Sequence, residues 1–163
     1  MPLSPPKITA CLWYDDQAEG AAQLYTSLFP ESQITSVTRF SAEGQEIHGK
    51  PPGSVMTVSF ELAGHPFVAL NGGPQFTFDE AVSFQILCDS QEEVDHYWYG
   101  LSDGGSEGPC GWLKDRFGLS WQVTPRLLTS LIAGDDADKA ARATRAMFKM
   151  SKIDIAAIER AVA

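Results

Sequence analysis

Histidine, cysteine and positive charge are all scarce in this 163-residue chain. The three histidines, His48, His65 and His96, share no metal-ligand spacing. The three cysteines, Cys11, Cys88 and Cys110, include no CxxC pair. An odd count without such spacing argues against a disulfide framework, and reduced thiols in a cytoplasmic protein are expected. Lys and Arg number 12 against 21 Asp and Glu, a net charge of −9. That balance repels phosphate backbones and anionic lipid, so neither nucleic acid nor membrane is an expected partner. No apolar run reaches the length of a spanning helix. The stretch Met1–Lys7 has no apolar run behind a basic start, and no signal peptide is expected.

What is present suits a globular fold: 44% hydrophobic and 10% aromatic residues, in a length that fits one domain over 1–163. Ile8–Tyr14 is rich in β-formers and reads as a strand. A helix follows, with Asp16 and Glu19 as its capping pair and Ala18, Ala21, Ala22, Tyr25, Leu28 and Phe29 on one face, until Pro30 stops it. Ile34–Phe40 is the second strand. The polar, glycine- and proline-rich stretch Ser41–Gly53 reads as a loop. Val55–Leu62 and Pro66–Asn71 complete a first unit, closed by Gly72-Gly73-Pro74. The pattern then restarts. Val82–Cys88 is a strand, and Ser90 with Glu93 is a capping box for a helix whose face is Val94, Tyr97, Trp98 and Leu101. Gly104-Gly105 ends it. Trp112–Lys114 and Leu119–Thr124 are two short strands around the turn Asp115–Gly118. Beyond Pro125, Leu127–Ile132 reads as a short apolar turn. An amphipathic stripe over Ala137–Phe148 and a last helix opened by Ser151 and Asp154 complete the tail. This tail is too short for its own core, and is expected to pack on the sheet or on a second subunit.

The two halves echo one another. A shift of 74 positions lays the first unit on the second without a gap: Thr9 meets Ser83, Leu12 meets Ile86, Asp15 meets Asp89, Glu19 meets Glu93 and Tyr25 meets Tyr99. The unit ends correspond as Asn71-x-x-Pro74 and Gln122-x-x-Pro125. Strand, cap and helix face recurring in register indicate a duplicated βαβββ unit. The expected fold is α+β, with units at 8–74 and 80–125 paired into a curved half-open barrel and a helical tail over 126–163.

Three stretches carry a family resemblance: Ile8–Phe29 (ITACLWYDDQAEGAAQLYTSLF), Ala69–Pro74 (ALNGGP) and above all Cys110–Pro125 (CGWLKDRFGLSWQVTP). The tail wording KAARATRAMFKMSKIDIAA over Lys139–Ala157 adds to it. The chain resembles the vicinal oxygen chelate superfamily of glyoxalase and bleomycin-resistance proteins, in its PhnB-like branch, which carries a 3-demethylubiquinone 3-methyltransferase label. The resemblance implies the paired βαβββ fold and a homodimer. The superfamily's metal enzymes hold one divalent ion with two side chains from each unit, and those positions fall on Thr9, Asn71, Ser83 and Gln122. Two hydroxyls and two neutral amides donate weakly and bring no charge, so no metal is expected. No other cofactor is assigned. Strand parity adds Cys11 and Trp13 to the face of Thr9, and Gln85 to that of Ser83. These seven residues are the candidate lining of a cavity for a small, partly apolar organic molecule. The alternative is that they satisfy one another in a filled barrel.

No catalytic residue stands out. Cys110 has no placed base and reads as structural. Lys114-Asp115-Arg116 reads first as a solvated turn, with a substrate-facing Lys114 as the second reading. Trp98, Trp112 and Trp121 suit a core or subunit interface. Three functions compete: metal-independent binding or conversion of a small molecule, the labelled methyl transfer, and non-catalytic sequestration of a drug-like ligand. The methyl-transfer reading lacks a glycine-rich strand-to-helix turn, since Tyr14-Asp15-Asp16-Gln17 contains none.

Overall fold

A computed structural model describes residues 6–163, which divide into a first unit ending at Thr77 and a second spanning Phe78–Ala163. The first unit runs β1 (Ala10–Tyr14), α1 (Ala18–Leu28), β2 (Gln33–Arg39), α2 (Gln45–His48), β3 (Val55–Leu62) and β4 (His65–Asn71). Its sheet has the order β1-β4-β3-β2. β1 lies parallel to β4, and the other pairs are antiparallel. Alternation assigns the two faces of this sheet. Leu12, Tyr14, Val58, Phe60 and Ala69 are buried with the α1 stripe of Ala18, Ala21, Ala22 and Tyr25. Tyr25 meets the Phe60 ring at 6.1 Å and the Tyr14 hydroxyl at 3.1 Å. Burying each such side chain contributes roughly 1.5–3 kcal/mol. Three small alanines let the helix lie close against the strands.

The second unit repeats this plan with β5 (Ser83–Cys88), α3 (Gln91–Ser102), β6 (Ser106–Glu107), β7 (Trp112–Lys114) and β8 (Ser120–Pro125). The sheet order is β5-β8-β7-β6, the same connectivity as the first. β1 and α1 end at Tyr14 and Leu28, β5 and α3 at Cys88 and Ser102, each 74 positions on. The expected α+β class and duplicated βαβββ unit are therefore present. α4 (Arg126–Ile132), α5 (Ala137–Met147) and α6 (Ile155–Val162) follow as the helical tail. The tail gathers Leu128, Ala143, Ile153 and Ile158 into a small core. It is tied to its own unit: Cys110 and Gly111 N–H donate to Met150 and Ser151 carbonyls, both at 2.8 Å. The Gln91 side chain donates to the Ile153 carbonyl and accepts from the Ile155 N–H. A Cβ on Gly111 would come within 2.7 Å of the Val123 carbonyl, and its φ of +82° favours glycine as well.

Several local expectations change. The N-terminus of α1 is not capped by Asp16 or Glu19. Its first N–H, at Ala18, donates to Asn71 Oδ1 at 2.8 Å, because the end of the parallel neighbour β4 delivers an amide there. A single turn, α2, sits inside the expected loop between two left-handed glycines, Gly44 and Gly49. β6, only two residues long, carries too little pattern to be read. Leu127–Ile132 forms the body of a true helix. The last helix opens at Asp154 alone, whose carboxylate accepts from Ala157 N–H. The Ser90 box holds: Ser90 Oγ accepts from Glu93 N–H at 3.1 Å, and Glu93 reaches back to Asp89 N–H at 2.7 Å. Among the described residues no helix is long and apolar enough to cross a membrane.

Candidate functional site

In the second unit, alternation along β5 and β8 sends Phe84, Ile86, Trp121 and Val123 toward α3. It sends Ser83, Gln85, Ser120, Gln122 and Thr124 to the opposite face. Register pairs Gln85 with Gln122 and Ser83 with Ser120 across the parallel strands. It pairs Trp112 with Gln122 and Lys114 with Ser120 across the antiparallel ones. Over this face lies a cavity of about 740 Å³, with Gln85, Ser120, Gln122 and Thr124 on its floor. The wall comes from the tail, through Leu128, Ile132, Met147 and Phe148. A mostly apolar enclosure of this size with a few convergent polar groups is the usual form of a small-molecule site.

The floor is hydrogen-bonded as a chain. Gln122 Nε2 donates to Ser83 Oγ at 2.8 Å, and Gln122 Oε1 accepts from Gln85 Nε2 at 3.3 Å. Three of the sequence-predicted residues are thus brought together, and they satisfy one another in part. Two neighbours join them: Lys114, which the sequence offered only as a second reading, and Ser120, which it missed. Lys114 lines the cavity and is paired with Glu80 at 2.6 Å. Ser120 is 1% exposed, lines the cavity, and its Oγ has no hydrogen-bond partner. Strand parity, counted two residues back from Gln122, was the available signal for Ser120. The Lys114–Arg116 segment is not a uniformly solvated turn. Asp115 is buried, and its carboxylate accepts from Phe117 N–H, Leu119 N–H and Trp121 Nε1–H. Those bonds fix the bend that aims β8, and Lys114 with it. Cys110 also lines the cavity, in a left-handed conformation with φ of +59°. Such a backbone is uncommon outside glycine and is held here by the Met150 bond. Cys88 faces α3 instead, where burial first and the nearby Glu93 and Asp89 carboxylates next push its thiol up to about 12.

The remaining predicted residues belong to the first unit. Thr9 precedes β1 and is exposed; Cys11 is exposed too. Trp13 shares the parity of Cys11, on the side of the sheet away from α1. Its Nε1–H donates to the Gly73 carbonyl at 2.9 Å, and its ring meets Phe76 edge-on at 4.9 Å. A Cβ on Gly72 would lie 2.3 Å from that ring, so this turn accepts only glycine beside Trp13. Asn71 has the opposite parity. It is buried on the helix side, where its Oδ1 accepts from Ala18 and its Nδ2 donates to the Val55 carbonyl. The register explains the difference. Cys11 stands opposite Val68, as Gln85 stands opposite Gln122, so Val68 is the positional counterpart of Gln122. Matching the unit ends by their prolines slides β4 by three residues and inverts its faces.

The donor set does not fit a divalent ion. The amides of Asn71 and Gln122 are already engaged as described, and none of the four positions carries charge or an imidazole nitrogen. Among the described residues no three His, Cys, Asp or Glu side chains gather to offer a substitute.

Residues 6–124 match the family described as 3-demethylubiquinone-9 3-methyltransferase. The chain belongs to that family. The match agrees with the PhnB-like resemblance read from the sequence. A PhnB protein from Bacillus cereus is 32% identical over 74% of this chain and 99% of its own, with a TM-score of 0.64. A protein from Pseudomonas aeruginosa is 18% identical over 74% of this chain and 97% of its own, at 0.58, and shares the fold. No curated protein matches. The PhnB-like match ends at residue 124, so α4 and the end of α5, which wall the cavity, lie beyond it.

Proposed function

We propose that this PhnB-like chain binds, and where chemistry follows converts, a small, partly apolar organic molecule in the cavity of its second unit, without a divalent metal. The observation that carries this reading is a single enclosure with a hydrogen-bonding floor at Gln85 and Gln122 and an apolar wall from the tail. Neutral amides orient a ligand by directional hydrogen bonds, while the wall supplies burial. A fragment screen followed by amide chemical shifts tests it. Saturable shifts confined to Gln85, Trp112 and Gln122 are expected, and shifts scattered over the surface would refute it. The metal-free part has its own test: after exposure to Zn²⁺ or Ni²⁺ and desalting, retention should be substoichiometric. One tightly held ion per chain, lost in Gln122→Leu, would overturn it.

The family description favours a second reading, a 3-demethylubiquinone 3-methyltransferase-like activity. It would require S-adenosylmethionine, and the turn after β1 lacks the glycines that let a backbone approach such a cofactor closely. Stoichiometric heat on calorimetric titration with that cofactor would establish this reading over ours. Sequestration of a drug-like ligand without turnover is the third, and protection of cells by overexpression discriminates it. Homodimerisation and cytoplasmic residence accompany the proposal. Light scattering at micromolar concentration should return twice the chain mass of 17.7 kDa.

A further inference from the structure

Resting on the cavity reading above, we infer that the molecule it takes is an organic acid: an apolar body with one carboxylate, or a like oxyanion, seated between Lys114 and Ser120. Three charged residues line the cavity: Glu80, Glu107 and Lys114. Glu107 is turned away, with its carboxylate accepting the Trp98 indole N–H at 2.9 Å on the helix side. That leaves one cation and one carboxylate facing the space, and they face each other.

The pair is built unequally. Lys114 sits on β7, held in register by the buried Asp115 bend beside it. Glu80 belongs to the irregular segment before β5 and is 61% exposed. An exposed ion pair of this kind contributes little to stability, so a competing carboxylate can replace its acidic half. Glu80 therefore acts as an internal stand-in at the anion position. Ser120 is the second, independent sign. A buried hydroxyl without a partner is uncommon, because the missing hydrogen bond goes uncompensated. Ser120 is the cross-strand neighbour of Lys114 on the cavity-facing side, a separation of about 5 Å between such Cα atoms. A carboxylate between the two would accept from Nζ with one oxygen and from Oγ–H with the other. The body of the acid then runs over Trp112 toward Leu128 and Phe148.

The net charge of −9 opposes an anion at long range. The preference is therefore a contact effect, read at salt where the screening length is about 8 Å. Calorimetric titrations with 2-naphthoate and its uncharged isostere 2-naphthamide provide the test, with amide shifts locating each. The acid should bind the native chain about tenfold more tightly than the amide, a typical yield of one charge-assisted contact. Glu80→Gln should tighten the acid by a similar factor and leave the amide unchanged. Lys114→Met should equalise the two, and Ser120→Ala should weaken the acid alone. Equal affinities on the native chain, or an acid preference that survives Lys114→Met, overturn the inference while amide binding at Gln122 preserves the cavity reading. Silence from both probes at these resonances removes inference and reading together.

Discussion

Asn71 decides where the first helix begins, using both ends of one amide. Its oxygen takes an N–H that the helix cannot satisfy itself, and its nitrogen ties the same point to Val55 on β3. Asn71→Ala should cost about 1–3 kcal/mol in chemical denaturation, the penalty for buried groups left unpaired. Asn71→Asp keeps the acceptor and should recover part of that; equal losses for both variants would show that the oxygen is not what matters. The thiols separate by the same logic of placement. Cys11 is exposed and Cys88 is buried, with the latter held near 12 by its surroundings. Only thiolate alkylates, so iodoacetamide at pH 8 should leave Cys88 unmodified until denaturant is added. Early labelling of Cys88 on peptide mapping would contradict its placement under α3.

At the scale of elements, the Ser90 cap and the tail latch give the clearest predictions. Ser90→Ala removes the acceptor for Glu93 N–H and should lower stability by about 1 kcal/mol, read from the denaturation midpoint. The latch joins Lys152 to Asp95 at 2.7 Å, with the ammonium also against the Tyr99 ring and hydroxyl. The Lys152 and Gln91 hydrogen bonds hold Asp95 below the ordinary carboxylate range, and Asp95 with Tyr99 raises Lys152. A depressed carboxyl contributes above its unfolded value, near pH 4, and that contribution is lost as acid protonates it. A raised ammonium contributes below about pH 10.4 and loses its share as alkali removes the proton. Protection against hydrogen exchange in residues 149–155, taken relative to the intrinsic amide rate at each pH, should therefore be greatest between those limits and fall on both sides. Lys152→Met should flatten the profile; an unchanged profile would assign the protection to the backbone bonds at Cys110 and Gly111.

For the whole molecule, the duplication was legible because it rests on features that sequence displays directly: apolar period, capping residues and stop signals. Tyr14, Tyr25, Val94 and Trp98 stand where their spacing put them. The Ser83–Gln85–Gln122 cluster was legible in two steps, Ser83 and Gln122 through the family resemblance and Gln85 through its parity with Ser83. Asn71 was not read correctly as to its face, because facing depends on cross-strand register, which turn residues at the unit ends do not determine. Ser120, Lys114 and Glu80 come together through pairing and an irregular segment, and no local pattern announces that. The tail's cavity wall was hidden for the same reason: amphipathicity tells that a helix has a partner, without telling which one. The surplus of acids acts at this scale as well. With a net charge of −9 the chain should pass unretarded over heparin at pH 7 and about 0.15 M salt; retention would reveal a basic patch that the overall count conceals.

Floor and wall of the cavity are written in different stretches of the chain, the floor within residues 6–124 that match the family and the wall beyond them. Substitutions in α4 and α5 can therefore reshape what fits without touching the strands that orient it. Two chains with the same floor could diverge in diet simply by exchanging tails, and a graft of residues 126–163 between relatives would carry the taste for one shape over another along with it.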